Sequence, residues 1–185
     1  VSTAAIVAVG ANAEGKREVL GLATGESEAE PFWKDFLRSL TARGLRGVKL
    51  VIADDHKGLR AAASKVLNTS QQRCRVHWMR NVLGRVGKTH RAAVAALVKT
   101  VFVQETQEAA REQWRSVADN LRERFNSVAE LMDASEEDVL AYMVFPKEHW
   151  TQIHSTNPLE RLNKEIKRRT NVVGIFPNDA AIIRL

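Results

Sequence analysis

The chain has one cysteine, Cys74, so no internal disulfide framework staples it, and a lone thiol suits a reducing compartment. No apolar run approaches the roughly 18 residues of a membrane-spanning helix, and no basic-then-apolar leader opens the sequence. A cytoplasmic protein with no membrane partner is the expectation. Low-complexity tracts are missing too: 44% hydrophobic and 27% charged residues over 185 positions suit one sizeable core, or a core plus an inserted lobe. There is no initiator methionine, and the chain opens on what reads as a strand, so a piece cut from something longer is expected. Acids are absent from a long stretch. Between residues 71 and 104 there is no Asp or Glu, while Arg73, Arg75, Arg80, Arg85, Lys88, Arg91 and Lys99 fall there. From 105 to 138 the balance reverses, with ten acids. A formal charge of +6 favours a polyanionic partner, and the acid-free block reads either as a phosphate-contacting surface or as plain solvated surface.

What is present reads in order as follows. Residues 1–9 and 17–23 form two strands of a hairpin whose turn, 11–16, holds Asn12 and Gly15. After an acidic loop over 25–30, Pro31 opens a helix to residue 43 with Phe32, Phe36, Leu37 and Leu40 on one face. Gly44 and Gly47 end it, and a strand over 48–53 follows, so the helix is the crossover that a parallel pair requires. Residues 59–67 have helical spacing, and the alternation of 72–78 (QRCRVHW) predicts another strand. Residues 79–145 show only helical periodicity. Trp114, Val117, Leu121, Phe125 and Val128 form a stripe read as core, and Pro146 closes the segment. The expected division is 1–78, a helical insertion over 79–146, and 147–185.

Two acids stand out. Leu50 to Ala53 run into Asp54 and Asp55, the pattern of a buried strand delivering a carboxylate to the carboxyl edge of a sheet, where open α/β sheets bind ligands. Either Asp alternatively caps the helix that follows. Glu160 lies in TNPLERLNKEIKRR, where Asn157 as cap and Pro158 as first helical residue give it a capping-box role. It also shares a polar face with Lys164 and Lys167, amid Arg161, Arg168 and Arg169. A carboxylate in such a phosphate-binding surface suits a divalent cation bridging acid to phosphate.

The element order, with a helical segment between the strand bearing Asp54 and the helix bearing Glu160, is that of a ribonuclease-H-like α/β fold, a mixed sheet with flanking helices. The segments VIADDHKGL, QRCRVHWMRNVL and TNPLERLNKEIKRRTNVVGIFPN, over nearly the whole chain, resemble the DNA transposases of the Mutator superfamily of insertion sequences. That resemblance implies a DDE triad of acids, with Asp54 matching the second Asp and Glu160 the Glu. It implies Mg²⁺, or Mn²⁺, held by Asp54 and Glu160. Transposon ends and target DNA are the implied partners, met by Arg73, Arg75, Arg80, Arg85, Lys88, Arg161, Lys164, Lys167 and Arg168. A homo-oligomer in the synaptic complex and a nucleoid-associated cytoplasmic location follow. The family's first Asp has no counterpart, since no Asp precedes Asp35, so a catalytic-core fragment without activity of its own is expected. The alternatives are a ribonuclease-H-like nuclease or resolvase, and a non-catalytic remnant binding DNA or a partner.

Four more residues lie near these motifs. His56 follows the Asp pair. Cys74 and His77 have the spacing of a zinc half-site, but no second pair accompanies them, so no zinc is expected. They read as a buried small residue and a core or site-adjacent histidine; the resemblance makes the pair a signature near the active site or DNA. Trp150 reads as a packed tryptophan or as a stacking platform for an unpaired base.

Overall fold

A computed structural model describes residues 4–12, 14–25, 29–173 and 180–181. The first three residues of the expected first strand, the middle of the loop over 25–30, and most of the chain beyond 173 lie outside them. The molecule is α/β, mostly helical with small sheets, and divides into two compact units. One comprises Val1–Lys49, His56–Thr69 and Asn157–Leu185, the other Leu50–Asp55 and Ser70–Thr156.

In the first unit, β1 (Ala4–Ala11) and β2 (Arg17–Gly25) pair antiparallel, with a register shift between Ala8 and Val9. The turn is built by Asn12, whose side-chain oxygen accepts the amides of Glu14 and Lys16 at 3.1 and 2.9 Å. Gly15 supplies the positive φ of 78° that closes it. Helix α1 (Glu30–Ala42) has Pro31 in its first turn and buries Phe36, Leu37 and Leu40. Its Phe32 and Leu40 side chains come so close to β2 that a Cβ at Gly25 or Gly21 would meet them at 2.7 and 2.8 Å. Helix α2 (Lys57–Leu67) packs on α1 through Ala62 and Ala63, and Lys65 reaches Glu30 at 2.6 Å. Helix α9 (Asn157–Val173) begins at Asn157 itself, one residue earlier than the cap assignment expects, a shift typical of helix ends.

In the second unit, β3 (Leu50–Ala53) and β4 (Ser70–Arg73) pair parallel, Leu50 opposite Ser70 and Ala53 opposite Arg73. The expected strand over 72–78 is cut short: the chain leaves β4 after Arg73 and enters α3 (Arg75–Gly84). The alternation misleads because Gln72, Arg73 and Cys74 are all buried, while Trp78 and Val82, four apart, then point one helix face into the core. Helices α4 (Arg91–Lys99), α5 (Gln107–Arg122), α6 (Asn126–Asp133), α7 (Glu136–Leu140) and α8 (Trp150–Ile153) follow, separated by 3₁₀ turns and short bends. Their apolar faces enclose Trp78, Trp114, Val117, Val128, Met132 and Tyr142. Both buried indoles satisfy their N–H, Trp78 donating to Ser135 Oγ at 2.8 Å and Trp114 to the Met132 carbonyl at 3.0 Å. The stripe read in sequence is core, broken at Phe125 where α5 has ended and α6 begins. No described helix is long and apolar enough to cross a membrane.

Candidate functional site

Strand register builds the site. With Ala53 opposite Arg73 in a parallel pair, the next residues along, Asp54 and Cys74, leave the two strands side by side at their carboxyl ends. The Cys74 amide donates to the Ala53 carbonyl at 2.7 Å, carrying the pairing one step past the ladder. Cys74 is also the residue from which α3 starts, so His77 returns one turn later on the same side. His77 Nδ1 lies 2.5 Å from Asp54 Oδ1. One donor atom each from Asp54, Cys74 and His77 falls within 4.8 Å of the other two.

The three are unequally exposed: the Asp54 side chain is 57% accessible, that of His77 25%, and Cys74 is fully buried. The Cys74 sulfur accepts two hydrogen bonds from Thr156, from the amide at 3.3 Å and the hydroxyl at 3.2 Å. Asp55, one residue on, turns the other way, as strand alternation dictates. Its Oδ2 lies 3.1 Å from the Arg73 guanidinium, whose side chain is only 8% accessible. The helix after the two acids is capped by neither. His56 is the cap, its Nδ1 accepting the Leu59 amide at 3.2 Å, with its ring edge-on to Trp33 at 5.6 Å.

The cations assigned to DNA are placed differently from one another. Arg73 faces inward to Asp55, so its role in the structure is to hold that carboxylate. Arg75 is half-buried with its guanidinium 4.7 Å over the Phe102 ring, and its amide donates to the His154 carbonyl at 2.9 Å. Arg80, Arg85 and Lys88 are exposed, and among the described residues none of them makes an ion pair. On α9, Arg161, Lys164 and Lys167 are also exposed, and Arg161 borders an open groove of about 420 Å³ with Val9, Arg17, Val19 and Asn157. Arg168 donates to Glu165 at 2.7 Å, as Arg169 does at 3.1 Å, and these two guanidinium groups lower the Glu165 carboxyl to about 2. Glu160, the fourth residue of α9, is half-buried. The Trp150 ring packs edge-on to Tyr142 at 5.6 Å, and its N–H donates to the Phe145 carbonyl at 2.7 Å.

Two contributors escape the sequence reading. Thr156 holds the Cys74 sulfur across 82 residues, and only its place at the head of TNPLER marks it. Gln72, buried at 1% exposure, ties β4 to the helical part of its unit through hydrogen bonds to Val139 and Tyr142.

The donor chemistry has two sides. Mg²⁺ and Mn²⁺ take carboxylate and water oxygens, and Asp54 offers a carboxylate at a strand end, more than half open to solvent. The sulfur of Cys74 and the imidazole of His77 belong to softer ions.

The family model described as "Transposase, Mutator family" matches residues 1–185. The transposase for insertion sequence element IS1081 of Mycobacterium tuberculosis is 44% identical over 181 residues, covering 97% of this chain and 44% of that protein. That for IS406 of Burkholderia multivorans is 39% identical, covering 100% and 48%, and that for IS256 in transposon Tn4001 of Staphylococcus aureus is 36% identical, covering 97% and 46%. The chain spans about half the length of the curated relatives it matches.

Proposed function

Since the chain belongs to the Mutator family of transposases, we propose that it supplies part of the catalytic core of a DNA transposase, with Asp54 and Glu160 as two of its metal-binding carboxylates. The observation that carries this reading is Asp54 at the carboxyl end of a parallel strand pair, solvent-accessible and held by His77. A strand edge of that kind is where α/β sheets gather ligands, and it suits a ribonuclease-H-like core. Asp54 and Glu160 would hold Mg²⁺ or Mn²⁺. The chemistry such ions supply when bound is activation of the attacking oxygen and stabilisation of the leaving oxygen in an in-line displacement at phosphorus. His77 Nδ1 lies against one oxygen of Asp54, and in this reading the cation takes the other. Arg73 engages Asp55 at 3.1 Å, so that Asp54 is the acid of the pair that faces Cys74 and His77. The exposed Arg80, Arg85, Lys88, Arg161, Lys164 and Lys167 contact DNA phosphates.

Neither β1 nor β2 carries an aspartate, so for residues 1–185 by themselves DNA binding without strand cleavage is expected. The test is made in a transposase that contains this chain within its full length. Asp54→Asn and Glu160→Gln should each lower cleavage of a transposon-end duplex by about a thousandfold or more, since a metal ligand supports several kcal/mol of transition-state stabilisation. DNA affinity should stay within a fewfold. Cleavage persisting in either variant would remove that residue from the site. Joined strands as product support transposition, and nicks alone support the nuclease reading.

A further inference from the structure

The Asp54, Cys74 and His77 cluster carries an inference independent of the reaction proposed above. We propose that these three side chains form a binding site for one divalent cation of borderline softness, of the Zn²⁺ class, with its fourth position open to solvent. Cys74 and His77 alone make half a site, which is why sequence spacing gives no zinc. The parallel register adds Asp54 as a third ligand from the neighbouring strand. One carboxylate oxygen, one thiolate and one imidazole make a three-ligand set of the kind that zinc binds with water or substrate in the fourth place.

The geometry requires little movement. Donor atoms around a tetrahedral zinc lie roughly 3.3–3.8 Å apart, given bond lengths of roughly 2.0–2.3 Å. Here the three donor atoms already lie within 4.8 Å of one another. The Asp54 to His77 contact of 2.5 Å must open by about 1 Å for an ion to enter, a motion within reach of an exposed aspartate and a partly exposed histidine. Cys74 cannot move in this way, because it is fully buried and sits where a strand becomes a helix. Its sulfur is instead set in place by the amide and hydroxyl of Thr156, two donors that support a thiolate as outer hydrogen bonds support metal ligands generally. The accessible side of Asp54 faces solvent, so the fourth position is open to water or a phosphate oxygen. On the reaction proposed above, and only there, an ion bound here would compete with Mg²⁺ for the Asp54 carboxylate.

Cobalt(II) is the probe, added to the reduced 185-residue protein. The expected result is one equivalent bound, with the visible absorption of tetrahedral cobalt and a near-ultraviolet thiolate-to-cobalt band. Because the chain has a single cysteine, that band assigns the sulfur without ambiguity. Zn²⁺ should abolish the spectrum stoichiometrically, and a thousandfold excess of Mg²⁺ should leave it. Cys74→Ser should lose the thiolate band, His77→Ala should weaken binding at least tenfold, and Thr156→Val should weaken it by about tenfold. Circular dichroism checks that each variant folds, and the unsubstituted protein decides the question should Cys74→Ser unfold. No stoichiometric cobalt spectrum in that protein, or a thiolate band surviving in folded Cys74→Ser, overturns the proposal and leaves the cluster as an Asp–His pair beside a buried thiol.

Discussion

Gln72 shows how much one side chain does at the end of β4. Its amide nitrogen donates to the carbonyls of Arg73 and Val139 at 2.7 and 2.8 Å, and its oxygen accepts the Tyr142 amide at 2.8 Å, all out of contact with water. Replacing it with leucine preserves approximate volume but takes the partner from one buried N–H, that of Tyr142, and from two carbonyls, those of Arg73 and Val139. At about 1–3 kcal/mol for each orphaned group, Gln72→Leu should lower stability by about 2–4 kcal/mol, read as a fall in the urea midpoint. A loss under about 0.5 kcal/mol would mean that water replaces the amide. Asp54 and Asp55 make the complementary point. By local pattern alone they are indistinguishable as cap or ligand, and only the family resemblance singles out Asp54, because local pattern does not say which strand lies alongside. The register sends Asp54 towards Cys74 and His77 and Asp55 towards Arg73, and the cap falls to His56, whose ring nitrogen accepts an amide as a carboxylate would.

At the scale of elements, the hairpin, the helix opened by Pro31 and the strand before the Asp pair were legible, because their turn residues and periodicities are local signals. The crossover role was not, since among the described residues β2 pairs only with β1, and the helix that joins the parallel pair β3 and β4 is α2 rather than α1. The expected strand over 72–78 failed where two elements meet: four residues of strand and the first turn of a helix, both buried, mimic one alternating run. The N-terminus of α3 is then fastened to the end of α8, the Arg75 amide donating to the carbonyl of His154. Burial lowers the His154 imidazole below its ordinary value of 6.5, and the Arg75 charge adds to the effect. A histidine held low in the folded state binds its proton more readily when unfolded, so its contribution to stability is complete above pH 6.5 and is lost as pH falls through the lowered folded value. Urea unfolding at pH 7.5 and pH 5.5 should show the protein weaker at pH 5.5. His154→Gln, which keeps a polar ring-sized group but cannot titrate, should reduce that difference; an unchanged difference would assign it to other groups.

For the whole molecule the informative quantity is how charge is partitioned, more than its sum of +6. The acid-rich segment neutralises three of its four arginines: Arg111 pairs with Glu137, Arg115 with Glu136 at 3.1 Å, and Arg122 with Asp133 at 2.9 Å. Among the described residues no such partner meets Arg80, Arg85 or Lys88 of the acid-free segment, which are exposed along α3 and just beyond it. Sequence alone showed the two blocks but not this difference in pairing, since partners 11 to 26 residues apart depend on how α5, α6 and α7 fold together. Cations without partners are the ones free to displace counterions from DNA, and each phosphate neutralised contributes about 0.9 to the slope of log K against log salt. Changing Arg80, Arg85 and Lys88 together to alanine should therefore flatten that slope by up to about 2.7, while binding weakens on all duplex sequences alike, as expected for backbone contacts. Arg111→Ala with Arg115→Ala removes two positive charges as well, yet should leave the slope unchanged, because those charges are already compensated. Fluorescence anisotropy on a labelled duplex at four or five salt concentrations measures both, and equal slopes for the two sets of variants would show that overall charge, and not the unpaired face of α3, governs contact with DNA.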